Sequence, residues 1–437
     1  MARTKNALLV EQAIRRRSGR AAITKSSSIA MDGLYVNVFD GIEDPEKCMY
    51  AKRKREPYAH AFSLVNDHIT VKQEIIDEAS AAYNDIAFRL ASKLNWPLSA
   101  IKIFPQGSAS TKTLIRTIGN RKFDIDAVCE VNMSEIQAQD PIAFFEAVGT
   151  ALDGLNAVPK RRCWNINLVD KPFYLEFTPS VPLHLVTHTV HGMNSPEQEF
   201  KSTALAVVDI PQKNWKTSNP AGIRNWVDRA SDRSLVWTPA LVASDSIRAS
   251  IEPVEKQSVE VEETLRVVIR LFKRHRDMYV YRGHLSADTQ PISIILVTLL
   301  TTCYEGLADL IEEGVRMPFV HVVDILIAMA ELLPDMIPHS PDLGYYLINP
   351  TVVGENFAER WNEDNGERAE AFQTWCGLLQ ADLKAIAVLQ DPDKIIAKTL
   401  EVFGCSATGS PKDDDINSGP RVIPSPPSPA PRTSGLA

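Results

Sequence analysis

Gln106-Gly107-Ser108-Ala109-Ser110 is followed by Lys122-Phe123-Asp124-Ile125-Asp126-Ala127-Val128. A Gly-Ser turn thus precedes two aspartates set one residue apart in an apolar run. In a β-strand alternate side chains share a face, so Asp124 and Asp126 point the same way, roughly 6.6–6.8 Å apart along the strand. Phe123, Ile125 and Ala127 then point into the core. Two carboxylates on one apolar strand repel each other and lose hydration unless a cation sits between them. Magnesium fits that role, because it takes oxygen ligands and keeps room for phosphate. Gly107 lets backbone N–H groups approach a phosphate, and the Ser108 hydroxyl can donate to the same oxygens. The bland alternative is an edge strand with two solvated acids. The Gly-Ser turn, placed after the apolar run Ile101-Lys102-Ile103-Phe104, favours the metal and triphosphate site.

A third acid lies further on. Phe173, Leu175 and Phe177 alternate with Tyr174 and Glu176, and the run is expected to end in Thr178-Pro179. Glu176 reads either as an exposed strand glutamate or as the third carboxylate of a two-metal centre, brought in from an adjacent strand. Two later positions carry phosphate-binding chemistry. Lys273 lies near the end of a helix with Leu265, Val268, Ile269 and Phe272 on its buried side. Ser258 is its expected cap, with Glu260, Glu262 and Glu263 in the first turn. Cations favour helix C-termini in any case, and the functional reading is that Lys273 grips a triphosphate. Ser293 follows Pro291-Ile292 at the start of another buried helix, where free N–H groups favour anions.

The whole chain sets bounds. Its 437 residues allow two or three domains, and 44% hydrophobic residues match a soluble globular protein. The net charge of −8 argues against broad, sequence-blind nucleic-acid binding. Six scattered cysteines form no C-x-x-C pair, which predicts reduced thiols and a cytoplasmic protein. No signal peptide is visible, and the apolar run Ile292–Cys303 is too short to span a bilayer. The expected organisation is an arm over 1–57, a nucleotidyltransferase core over 58–210, a helical lobe over 211–404 and a disordered Pro/Ser-rich tail over 405–437. Thr70-x-x-Gln73 reads as a capping box opening the first strong helix. Residues 182–250 read as loops and short helices. The basic runs Arg15-Arg16-Arg17 and Lys52-Arg53-Lys54-Arg55 read as a solvated arm.

Together, Gly107-Ser108, Asp124-x-Asp126 and Glu176 resemble the polymerase-β-type nucleotidyltransferases. With Leu271-Phe272-Lys273-Arg274-His275-Arg276-Asp277, Pro291-Ile292-Ser293, Asn349-Pro350 and Glu355-Asn356-Phe357-Ala358-Glu359-Arg360-Trp361, the likeness narrows to the bacterial CD-NTases. These are cyclic-oligonucleotide synthases related to animal cyclic GMP-AMP synthase and oligoadenylate synthase. The resemblance covers about residues 60–400. It implies an α+β fold: a mixed sheet with flanking helices and an α-helical C-terminal lobe. It implies that Gln106, Gly107, Ser108, Lys273 and Ser293 hold nucleotide. It also implies that Asp124, Asp126 and Glu176 hold two Mg2+ ions, with Mn2+ as a substitute. Glu176 departs from the aspartate usual in the family. The implied activity is synthesis of a cyclic di- or trinucleotide messenger from NTPs, ATP among them, in the anti-phage system called CBASS. Implied partners are CBASS regulators, an effector reached through the messenger, and a ubiquitin-like conjugation enzyme acting on Ala437. No membrane and no stable nucleic-acid partner are expected. The competing readings are a linear or RNA-end nucleotidyltransferase and an inactive nucleotide-binding regulator.

Overall fold

The computed structural model describes residues 3–24, 45–119, 121–132, 140–186, 198–236 and 263–405. The chain opens with helices α1 (Lys5–Thr24), α2 (Pro45–His68) and α3 (Gln73–Leu94). Strand β1 (Ile101–Pro105), the one-turn helix α4 (Gly107–Ser110) and strand β2 (Phe123–Val131) carry the Gly-Ser turn and the two aspartates. Helix α5 (Pro141–Ala151), strands β3 (Ala157–Pro159), β4 (Trp164–Ile166) and β5 (Phe173–Pro182) follow, then β6 (Leu205–Asp209) and β7 (Asn214–Ser218). The rest is mainly helical: α6 (Pro220–Ser231), α7 (Thr264–Tyr281), α8 (Ser293–Glu312), α9 (Val322–Leu332), α10 (Glu367–Ala387) and α11 (Pro392–Phe403).

These strands form a mixed seven-stranded sheet in the order β1-β2-β5-β4-β3, with β6 and β7 added at the far end of β5. Strands β2 and β5 run parallel at its centre, with Asp124 opposite Tyr174 and Asp126 opposite Glu176. Both strands alternate buried and less buried residues at this point. Phe123, Ile125, Phe173 and Leu175 therefore face the core shared with α3 and α5, while the acids face outward.

A second apolar core lies in the helical part. It joins α7 to α11 and also takes Ala7, Val10 and Ala13 of α1 and Phe62, Val65 and Ile69 from α2 and the residue just after it. The expected solvated arm over 1–57 therefore contains packed helix, and the division at residue 57 falls inside α2. The small stripe Ala7, Val10 and Ala13 lets α1 lie close on α8, where Gly306 meets the backbone of Asn6. The basic run Arg15-Arg16-Arg17 follows this stripe on the same helix, which is why the segment reads as a solvated arm.

Other boundaries also differ from the sequence reading. The expected capping box is absent: Thr70 donates its hydroxyl to the Asn66 carbonyl at the end of α2, and α3 starts at Gln73 without a side-chain cap. Strand β5 does not stop at Thr178-Pro179 but runs on to Pro182, with the Ser180 hydroxyl bonded to the Cys129 carbonyl at 3.0 Å. The span read as irregular contains β6, β7 and α6, the last capped by the Asn219 side chain on Gly222 N. The apolar run at Ile292 extends into the 20-residue α8, which by length and composition could cross a membrane but forms the buried centre of the helical core. Ser258, Glu260, Glu262 and the tail from Ser406 to Ala437 lie outside the described residues.

Candidate active site

The pleat of β2 and the register of β5 set the site. Residues paired in a parallel ladder project to the same face. Asp124, Asp126 and Glu176 therefore stand on one side of the sheet, on neighbouring strands. Asp124 is exposed and Asp126 half-buried. Burial pushes the Asp126 carboxyl up to about 7, with Glu176 and then Asp124 adding to the shift and Lys273 and Lys160 opposing it. Asp124 is also raised, by lost hydration first and Glu176 next, against Lys160. Lost hydration is thus the main cause on this face, and the carboxylates add to one another.

Helix α4 is folded against this face. The Gln106 N–H donates to the Asp126 carbonyl at 3.0 Å, which ties the turn to β2. Gly107 has φ of +58°, and a Cβ there would collide with the Asp126 carboxylate. Both facts demand glycine. The Gln106 amide donates to the Thr178 hydroxyl at 2.9 Å and so bridges to β5. The Tyr83 hydroxyl on α3 donates to the Asp126 carbonyl at 3.3 Å and holds β2 from behind.

Helix α7 supplies the cations. Lys273 is buried and donates to the Ser108 hydroxyl and to the Thr113 carbonyl, both at 2.7 Å. Burial first and Arg276 next lower its pKa to about 7, against Asp277 and Asp126. One helical turn on, Arg276 donates to the Pro291 carbonyl at 2.8 Å and to the Ser293 hydroxyl at 3.3 Å. Ser293 is the first residue of α8. Each serine is thus backed by a cation that donates to its oxygen, which leaves the hydroxyl proton available to another acceptor.

These parts surround a cavity of about 510 Å3 between the sheet and the helical lobe. Gln106, Gly107, Ser108, Asp126, Glu176 and Ser293 all line it. Lys273 lies behind Ser108, and Asp124 stands on the same face outside the lining. The volume is in the range of ligand sites. Among the described residues, no group of three or more His, Cys, Asp or Glu side chains is placed to hold a metal ion, and the three acids of this face do not converge as one. Glu176 instead pairs with Lys160, on the turn between β3 and β4. Magnesium sites commonly use one or two carboxylates, water and substrate phosphates, so an open arrangement suits that ion.

The sequence reading assigned no role to the other half of this cavity. Lys160-Arg161-Arg162 form a tribasic turn after Pro159, and Glu355, Glu359 and Arg360 come from the segment between α9 and α10. The legible signal was the basic triplet between two short apolar runs. The pairing of that turn with residues far along the chain was not legible, because nothing local encodes it.

No protein-family model matches the chain. A c-di-GMP synthase of Roseivirga ehrenbergii is 25% identical over 269 residues, which span 60% of this chain and 61% of that relative. The CD-NTase CdnG of Bradyrhizobium diazoefficiens, solved with GTP, superimposes with a TM-score of 0.51 at 16% identity, over 80% of this chain and 99% of that one. CdnC of Escherichia coli MS115-1, solved with ATP, gives 0.50 at 13% identity, over 80% and 97%. The fold is that of the CD-NTases. The CD-NTase fold accounts for the two cores: a mixed sheet and a helical lobe that meet at one cavity.

Proposed function

We propose that this protein is a nucleotidyltransferase that joins NTPs into a cyclic di- or trinucleotide with release of pyrophosphate. One observation carries the reading: the parallel register that puts Asp124, Asp126 and Glu176 on one face, beside Gly107-Ser108 and the buried Lys273. The sequence relative named as a c-di-GMP synthase supports it.

Asp124, Asp126 and Glu176 would hold divalent cations, Mg2+ first and Mn2+ as a substitute. The donor set fits in chemistry, since Asp124, Asp126 and Glu176 offer carboxylate oxygens from neighbouring strands on one face, with Glu176 and Asp124 each raising the proton affinity of Asp126. Ions held there would supply charge to lower the pKa of the attacking ribose hydroxyl and to offset that of the leaving pyrophosphate. Ser108 and Ser293 donate their hydroxyl protons to the triphosphate, with Lys273 and Arg276 behind them. The first turn of α4 offers backbone N–H groups to the same phosphates. Gln106 touches the nucleotide from the end of β1. Glu176 is assigned to accept the proton of the attacking hydroxyl. A second transfer, after the linear intermediate turns over in the cavity, closes the ring.

The biological setting we assign is a second messenger in CBASS anti-phage defence, with regulators acting on the enzyme. The pairing of Glu176 with Lys160 favours one rival, a regulator that binds NTP without turnover. Pyrophosphate release from NTPs and Mg2+ separates the two. Release by the native chain, lost in the combined variant Asp124→Asn and Asp126→Asn, supports the enzyme. Tight NTP binding with no release supports the regulator.

A further inference from the structure

The cavity has a second polar group, where the β3–β4 turn meets the segment before α10. Arg161 and Arg162 stand side by side there but are treated differently. Arg161 takes the buried Asp209 with two donors, at 3.2 and 3.3 Å. Arg162 has three carboxylates around it, Glu355 at 3.6 Å and Asp209 and Glu359 both at 3.8 Å. All are beyond hydrogen-bond length. Its buried Nε has no hydrogen-bond partner among the described residues. Charge therefore holds this guanidinium in place while its donors stay open.

Glu355 is its counterpart. It is 8% exposed and lines the same cavity. One oxygen accepts from the Asn349 amide at 2.7 Å. Asn349 is fixed in turn, since its own oxygen accepts from the Thr351 N–H and hydroxyl at 2.8 and 2.7 Å. The other Glu355 oxygen is the one nearest Arg162. An open donor fork thus sits next to an open acceptor, with Ile223, Ile292 and Phe357 as apolar lining nearby. Leaving such groups without close partners in a half-buried wall is costly, and a ligand with the opposite pattern relieves the cost.

The geometry points to a guanine-reading subsite. Guanine carries the acceptors O6 and N7 beside the donors N1–H and N2–H2. Arg162 takes the acceptors and Glu355 the donors. Adenine keeps the N7 acceptor but puts a donor at N6 in place of O6 and an acceptor at N1 in place of N1–H, so it leaves Arg162 one bond of two and meets Glu355 with an acceptor. Arginine on O6 and N7 is a common specific contact to guanine for the same reason. This subsite rests on the nucleotidyltransferase reading and assigns one of its bases.

Calorimetry with the full-length protein, Mg2+ and the α,β-methylene analogues of GTP and ATP tests it without turnover. Arg162→Gln and Glu355→Gln are each expected to weaken the GTP analogue by roughly tenfold. The ATP analogue should lose clearly less, no more than about threefold in either, because adenine offers Arg162 only N7 and offers Glu355 no donor at N1. Arg162→Lys, which keeps the charge but not the fork, should behave like Arg162→Gln. Melting temperatures of the variants check that they fold, and retained ATP-analogue binding checks it again. Equal losses for both analogues, or no loss for either, would overturn the guanine subsite while leaving the enzyme in place. If the native protein bound neither analogue, the nucleotidyltransferase reading would fall and the subsite with it.

Discussion

Gly107 and Asp126 constrain each other closely. The glycine's positive φ and the carboxylate beneath it leave no room for a methyl group. Gly107→Ala should therefore displace the turn and reduce NTP affinity by at least about tenfold, read by calorimetry, since the turn's conformation and its phosphate-facing N–H groups move together. Lys273→Met makes the opposite point. It removes a buried ammonium whose pKa is already lowered to about 7, and it keeps the volume. Burying a charge is costly, so the melting temperature should move by no more than a few degrees while NTP affinity falls roughly tenfold. At this scale the sequence was informative. A Gly-Ser turn, a two-residue aspartate spacing and an alternating run are local patterns, and with the family resemblance they led to eight residues, each of which lines the cavity, shares its carboxylate face or stands directly behind Ser108. Arg162 and Glu355 were missed because an open donor is a property of surroundings, which no local pattern records.

Elements were legible where one face was polar and obscure where none was. Strand β2 alternates, so its two acids marked the outward face. Leu205-Ala206-Val207-Val208 is buried on both faces and does not alternate, so β6 was read as loop. Helix α1 carries a small apolar stripe just ahead of a basic run and so was read as part of an arm, and Val10→Asp should lower the melting temperature by several degrees, because it places an unpaired charge in the contact with α8. Helix α9 carries a pH dependence. His321 caps it by accepting the Val323 N–H on Nδ1 at 3.3 Å, which requires the neutral ring. Burial first, then Lys52 and Arg55, lower its pKa to about 4, although Glu56 lies 3.9 Å from Nε2. The unfolded chain binds this proton below about 6.5 and the folded one does not until about 4. Stability should thus fall as pH drops from 6.5 towards 4, by up to about 3 kcal/mol. His321→Asn keeps a capping oxygen without a titrating ring, and chemical denaturation at pH 7 and pH 5 should show a smaller difference for the variant than for the native chain.

Two cores, one around the sheet and one among the helices, meet at a shared cavity. Charged contacts stitch the meeting line: Lys216 on β7 donates to Glu359 at 2.7 Å, and the β3–β4 turn reaches Glu355 and Glu359. Substrate held between the lobes would therefore touch both, and the carboxylates, the backed serines and the basic turn would act on one bound pair of nucleotides. Such an arrangement should transfer nucleotides and close a ring, and its products report on it without intermediaries. They are read by mass spectrometry after incubation with the four NTPs and Mg2+ and treatment with phosphatase. We predict a phosphatase-resistant cyclic oligonucleotide from the native protein and none from the variant carrying Asp124→Asn and Asp126→Asn. Products that phosphatase degrades completely, or a cyclic product that survives loss of both aspartates, would show that this site does not do the chemistry assigned to it.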